Sequence, residues 1–162
     1  LPYGNFEDAH ASSPTLFYND ANQHVAKMVE TRIANVNSPW LAGVEVGDIH
    51  AIPVSHGEGK FVVTDEEFVQ LRNKGQIWSQ YVDFDGQPSM DSLYNPNGSS
   101  HAIEGICSEN GQIIGKMGHS ERFEEGLFQN IPGNKDQKLF ESAVRYFTGQ
   151  EWPFTRNNSC NF

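Results

Sequence analysis

Polar and apolar residues alternate with a period of two from His24 to Val36, where Val25, Lys27, Val29, Thr31 and Ile33 share one side of an extended chain. The β-branched residues favour a strand over the helix that Ala26, Met28 and Glu30 would tolerate. Asn37-Ser38-Pro39 breaks this run. Leu41 to Val46 and Ile49 to Val54 are short apolar runs separated by Gly47-Asp48, a tight-turn pair, and the pattern predicts a hairpin or a strand entering the core. Ser55-His56-Gly57-Glu58-Gly59 then interrupts, and Lys60 to Val63 resumes extended structure. The stretch before Pro14 is rich in Gly, Asn, Asp, Ser and Pro and reads as loop.

The period changes after Thr64. Thr64 or Asp65 can cap a helix whose first turn is acidic, Phe68 and Leu71 share a face, and Gly75 supplies the stop. Ile77 to Asp83 reads as a strand, Asp85-Gly86 as a turn, and Gln87 to Ser100 as a long loop with two prolines. Asn110-Gly111 lies between the apolar runs Ala102 to Cys107 and Gln112 to Met117, a strong hairpin signal. Leu139, Phe140, Val144 and Phe147 fall near helical spacing within Asp136 to Thr148, and Gly149 ends that helix. Residues 150–162 read as an Asn-rich tail. No internal repeat or low-complexity segment occurs. The reading is an α/β chain with β-hairpins and two or three helices, a single domain over residues 1–162.

Composition narrows the function. The 162 residues carry 21 acids against 11 bases, a formal charge of −10, with no run of Lys and Arg, so neither nucleic acid nor an anionic membrane is an expected partner. No apolar run approaches the roughly 18 residues of a membrane span. Cys107 sits in an apolar strand pattern and Cys160 in the polar tail, which does not resemble a disulfide framework. With no basic-then-apolar leader, a reducing cytoplasm is the expectation. The chain begins at Leu1 rather than Met, so it is expected to be a piece of a longer protein.

Two histidine-x-carboxylate pairs stand where a predicted strand gives way to a loop: His56-Gly57-Glu58 and His119-Ser120-Glu121. On an extended backbone, side chains two residues apart point the same way, so Glu121 can fix one tautomer of His119. The other ring nitrogen is then free to accept a proton from a nucleophile. Both pairs read equally well as surface loop residues. A divalent-metal site is a weaker alternative, because no His-Glu-x-x-His helix is present and the pairs have no fixed spacing. Gly57 and Gly59 lack the Lys-Ser/Thr ending and the following helix of a phosphate loop. Cys107 lacks a nucleophile elbow and reads as a buried strand residue.

Taken in order, Pro53-Val54-Ser55-His56-Gly57-Glu58-Gly59-Lys60-Phe61, Tyr81-Val82-Asp83, Asn95-Pro96-Asn97-Gly98-Ser99, Gly105-Ile106-Cys107 and His119-Ser120-Glu121-Arg122 resemble the glutaminase domain of phosphoribosylformylglycinamidine synthases, a class I glutamine amidotransferase. The resemblance runs from about Leu1 to Arg122. It implies the C-terminal portion of the flavodoxin-like amidotransferase fold, an open α/β sheet of mixed direction, and hydrolysis of glutamine by a Cys-His-Glu triad. His119 would be the base and Glu121 its partner. The family usually has His-Pro-Glu-Arg, and this chain departs from it with Ser120 in place of the proline. His56 and Glu58 match a motif without a triad role and are expected near the site, as are Asn95 and Asn97.

The resemblance also implies what this chain lacks. The family's nucleophile lies on a Gly-x-Cys-Asn-Gly elbow followed by a Leu-Pro stretch that Leu1-Pro2-Tyr3-Gly4 resembles, so the chain is expected to begin just after it. No residue here is an expected nucleophile or metal ligand, and the fragment alone is expected to be inactive and to self-associate. The implied partners are glutamine and the synthetase portion of the enzyme, whose ATP and Mg²⁺ lie outside this fragment. The helix and tail after Arg122 favour one long parent chain over a separate subunit. A non-catalytic scaffold with a retained amidotransferase fold is the second class, and a metal-dependent hydrolase the third.

Overall fold

The computed structural model describes residue 7, residues 9–11 and residues 13–150. The expected tail, the Leu1-Pro2-Tyr3-Gly4 stretch and Cys160 lie outside the described residues. Among the described residues, seven strands and two α-helices follow in the order β1 (Thr15–Phe17), β2 (Val25–Ile33), β3 (Ile49–His56), β4 (Lys60–Val62), α1 (Asp65–Asn73), β5 (Ile77–Tyr81), β6 (Ile103–Cys107), β7 (Ile114–Lys116) and α2 (Leu139–Thr148).

A five-stranded sheet has the order β3-β2-β5-β6-β7, and β1 pairs with β4 separately. All of these strand pairs are antiparallel. Among the described residues the one parallel link is the bridge from His50 to Asn134. The alternation from His24 onward is realised as β2, whose Val29, Thr31 and Ile33 are buried.

The hairpin expected between residues 41–46 and 49–54 does not form. Pro39–Leu41 is a 3-10 turn, and Leu41 and Val44, three residues apart, enter the core together. The partner of β3 is β2, in register from Val25–His56 to Arg32–Ile49. Gly47, at φ +96°, turns the chain. Its N–H donates to Ile33 O at 2.9 Å while Ile33 N–H donates to Asp48 O at 2.9 Å, so Gly47-Asp48 extends the β2–β3 ladder. The second run is the strand β3, which enters the core, while the first run is not a strand.

Helix α1 starts as its sequence predicts, with a capping box in which Thr64 and Glu67 exchange side-chain and backbone hydrogen bonds. Ile77 and Trp78, adjacent on β5, point to opposite faces of the sheet. Ile77 packs with Phe61, Val63, Leu71, Ile103 and Ile106 on the α1 side. Trp78 packs with Ile33, Leu41, Val44, Cys107 and Leu139 on the α2 side. Helix α2 buries Leu139, Ser142 and Ala143 and leaves Phe140, Val144 and Phe147 exposed.

Candidate functional site

The segment leaving β7 crosses from β6 to β3. Met117 N–H donates to Glu104 O at 3.0 Å and His119 N–H donates to Pro53 O at 2.8 Å. Gly118 lies between them, where a Cβ would sit 3.0 Å from Glu104 Oε1 and 3.1 Å from Ile52 Cγ2. The backbone can pass this close to both strands only because no side chain is there. His119 is thereby pinned to the sheet by its own main chain.

Ser120–Arg122 then forms a 3-10 turn, closed by Arg122 N–H donating to His119 O at 3.2 Å. His119 Nδ1 lies 2.6 Å from Glu121 Oε1, so the expected pairing is present. The backbone producing it differs from the extended one assumed above: the turn folds the carboxylate back onto the ring. Desolvation pushes the Glu121 carboxyl up, but hydrogen bonds from its backbone and from His119, with the charges of His119 and Arg122, outweigh it and hold the group below its ordinary value. His119 is about one-quarter exposed, and its Nε2 has no partner among the described residues. His119, Ser120 and Glu121 line a cleft of about 500 Å³ with Trp40, Ile113 and Phe140.

Beneath the turn lies a polar cluster that the sequence did not announce. Lys116 Nζ donates to Ser120 Oγ at 2.6 Å and also to Gln137 Oε1, and Ser120 Oγ donates to Gln137 Oε1. Gln137 is buried and reaches Thr31 Oγ1 at 3.4 Å. Lys116 Nζ is 3.6 Å from Oε1 of Glu104, whose side chain is fully buried. That same oxygen accepts the Gly118 N–H at 2.7 Å, while Glu104 Oε2 has no partner. Burial pushes the Lys116 ammonium below the ordinary lysine value, against the opposing charge and hydrogen bond of Glu104. The one available signal was Glu104 itself, a lone acid inside Ile103-Glu104-Gly105-Ile106-Cys107.

The remaining sequence-derived positions divide. His56 ends β3 with both ring nitrogens buried and unpartnered among the described residues, and its ring lies against Gly59. Burial lowers its basicity, with a smaller contribution from the charge of His119. Glu58 is exposed in the turn between β3 and β4. Asn95 and Asn97 are fully buried. Asn95 Nδ2 donates to Ser99 O at 2.8 Å, and Asn97 Nδ2 donates to Gly59 O at 2.8 Å and to the Tyr81 hydroxyl at 2.7 Å. Asn97 fastens the long loop to the sheet, Asn95 braces the loop internally, and neither lines the His119 cleft. Cys107 is buried, its thiol donates to Gly75 O at 3.5 Å, and burial raises its pKa, the environment of a packed thiol. No group of three His, Cys, Asp or Glu side chains able to hold a metal converges among the described residues.

Residues 1–147 match the CobB/CobQ-like glutamine amidotransferase domain, and the chain belongs to that family. Within it, the chain is similar to the phosphoribosylformylglycinamidine synthase subunit PurQ of Thermomicrobium roseum, 39% identical over 107 residues, covering 66% of this chain and 44% of the relative. It is likewise similar to the same subunit of Alkaliphilus metalliredigens, 32% identical over 134 residues, covering 83% of this chain and 53% of the relative. Its fold resembles a chain in the solved structure of PurLQS from Thermotoga maritima with a TM-score of 0.60 at 26% identity, covering 83% of this chain and 53% of that one. The chain spans about half the length of the relatives it matches.

Proposed function

We propose that these 162 residues supply the base and its carboxylate partner to a glutaminase that serves phosphoribosylformylglycinamidine synthase. The observation that carries this reading is the 2.6 Å contact between His119 Nδ1 and Glu121 Oε1 at the wall of a cleft. With the proton held on Nδ1, Nε2 takes the proton of a cysteine thiol, and the thiolate attacks the carboxamide carbon of glutamine. The imidazolium returns that proton to the departing nitrogen, releasing ammonia and leaving a thioester. His119 then takes a proton from water, which hydrolyses the thioester to glutamate and restores the thiol. Glu121 stabilises the imidazolium formed in both halves, the role of the acid in serine triads.

The nucleophile in this reading comes from polypeptide other than the described residues, since Cys107 is packed in the core. The ammonia passes to a synthetase partner that uses ATP and Mg²⁺ to convert formylglycinamide ribonucleotide to its amidine. Because the relatives carry the name of a subunit, a separate glutaminase subunit is better supported than one long chain.

The test is a chimera joining the N-terminal part of the Thermomicrobium roseum subunit to this chain, assayed for ammonia with its synthetase partners. His119→Ala should lower the rate by on the order of 10⁴-fold, and Cys107→Ala should leave it unchanged. A chimera that keeps its rate without His119 would sink the assignment. The isolated chain, incubated with a glutamine-mimicking diazo-ketone, should gain no mass. An adduct at Cys107 would mean the nucleophile was placed wrongly.

A further inference from the structure

We propose that Lys116, Ser120 and Gln137 are positioning residues that hold the 119–121 turn in the shape that brings Glu121 onto Nδ1 of His119. This rests on the reading of His119 and Glu121 as a base and its partner. Both of those side chains are reached from solvent, and a surface carboxylate–histidine pair two residues apart gains little from the contact alone. The 3-10 turn that brings them together is one turn long, with no side-chain hydrogen bond at its start. Short turns of this kind have poor hydrogen-bond geometry and need support from outside.

Ser120 supplies that support from the middle of the turn. Its hydroxyl accepts from Lys116 and donates to Gln137, using both capacities of the group toward buried or nearly buried partners. Lys116 is fixed in turn by the buried Glu104 carboxylate, which also holds the Gly118 N–H one residue before His119. The turn is thus tied on both sides of His119 to one network, at Gly118 and at Ser120. A hydroxyl anchored to a buried cation thus restricts the backbone of the turn by hydrogen bonding.

The tautomer of His119 reads this directly. In the ¹⁵N-labelled 162-residue chain at about pH 8, where a free imidazole is neutral, long-range ¹H–¹⁵N correlations distinguish a protonated ring nitrogen from a bare one. The expected wild-type pattern is a single tautomer with the proton on Nδ1. Ser120→Ala should shift both ring nitrogens toward the values of a free imidazole, and Ser120→Thr, which keeps the hydroxyl, should restore the single form. Gln137→Leu tests the same tie from its buried end and should mimic Ser120→Ala. A purely structural network would lower the unfolding temperature of these variants while leaving the His119 pattern intact, which overturns the proposal. A mixed tautomer in the wild type overturns it as well. Neither outcome depends on glutaminase activity, so failure here and failure of the chimera assay are separate results.

Discussion

Lys116→Met keeps the length and apolar stem of the side chain and removes its charge, which isolates the electrostatic part of the buried cluster. Lys116 Nζ lies 3.6 Å from Glu104 Oε1, with side chains 12% and 0% exposed. At an effective dielectric of about 20 the attraction at that distance is about 5 kcal/mol. Desolvating both ions offsets most of it, so the intact pair contributes little net stability. Removing only the cation is different, because Glu104 stays enclosed with one oxygen already unpartnered and the other left with a single N–H donor. The expected cost is about 3–5 kcal/mol. With a urea slope of about 2 kcal/mol per molar, the unfolding midpoint should fall by about 2 M. Lys116→Met/Glu104→Gln removes the stranded charge and should recover at least about half of the loss. The reasoning fails if Lys116→Met costs less than about 1 kcal/mol, or if the double variant is no more stable than the single one.

Burial holds His50 and His56 below the ordinary histidine value of 6.5, so the unfolded chain takes up protons that the folded chain refuses. Their contribution to stability is therefore complete above pH 6.5 and lost as the pH falls through their folded values, and the urea midpoint should drop on acidification from about pH 7 to about 5. A flat or rising midpoint would contradict it. Gly59→Ala places a methyl group into the His56 ring and should cost about 1–3 kcal/mol by thermal unfolding; an unchanged melting temperature would show that the ring moves aside freely. The exposed Phe140, Val144 and Phe147 of α2 should make the isolated chain self-associate, and a monomeric sedimentation profile at micromolar concentration would refute this.

Local periodicity and punctuation determined much of this protein. The period-two run gave β2, Thr64 and the acidic turn after it gave the start of α1, Gly149 at φ +69° gave the end of α2, and Asn110-Gly111 gave the β6–β7 hairpin. These features depend on residues within a few positions of one another, so the sequence carries them openly. The His119–Glu121 pair was legible for the same reason, since two residues of separation cannot place them far apart. The partner of β3 was not, because pairing with β2 is set by which faces are buried together rather than by the Gly47-Asp48 turn beside it. Asn97, expected near the site, ties its loop to Gly59 and Tyr81 because the fold placed both within its reach, while Asn95 bonds only within the loop. The tertiary structure alone brought Glu104, Lys116, Ser120 and Gln137 together from β6, β7, the turn and the approach to α2. A buried charge must find its partner wherever the fold supplies one, and no spacing along the chain records that choice.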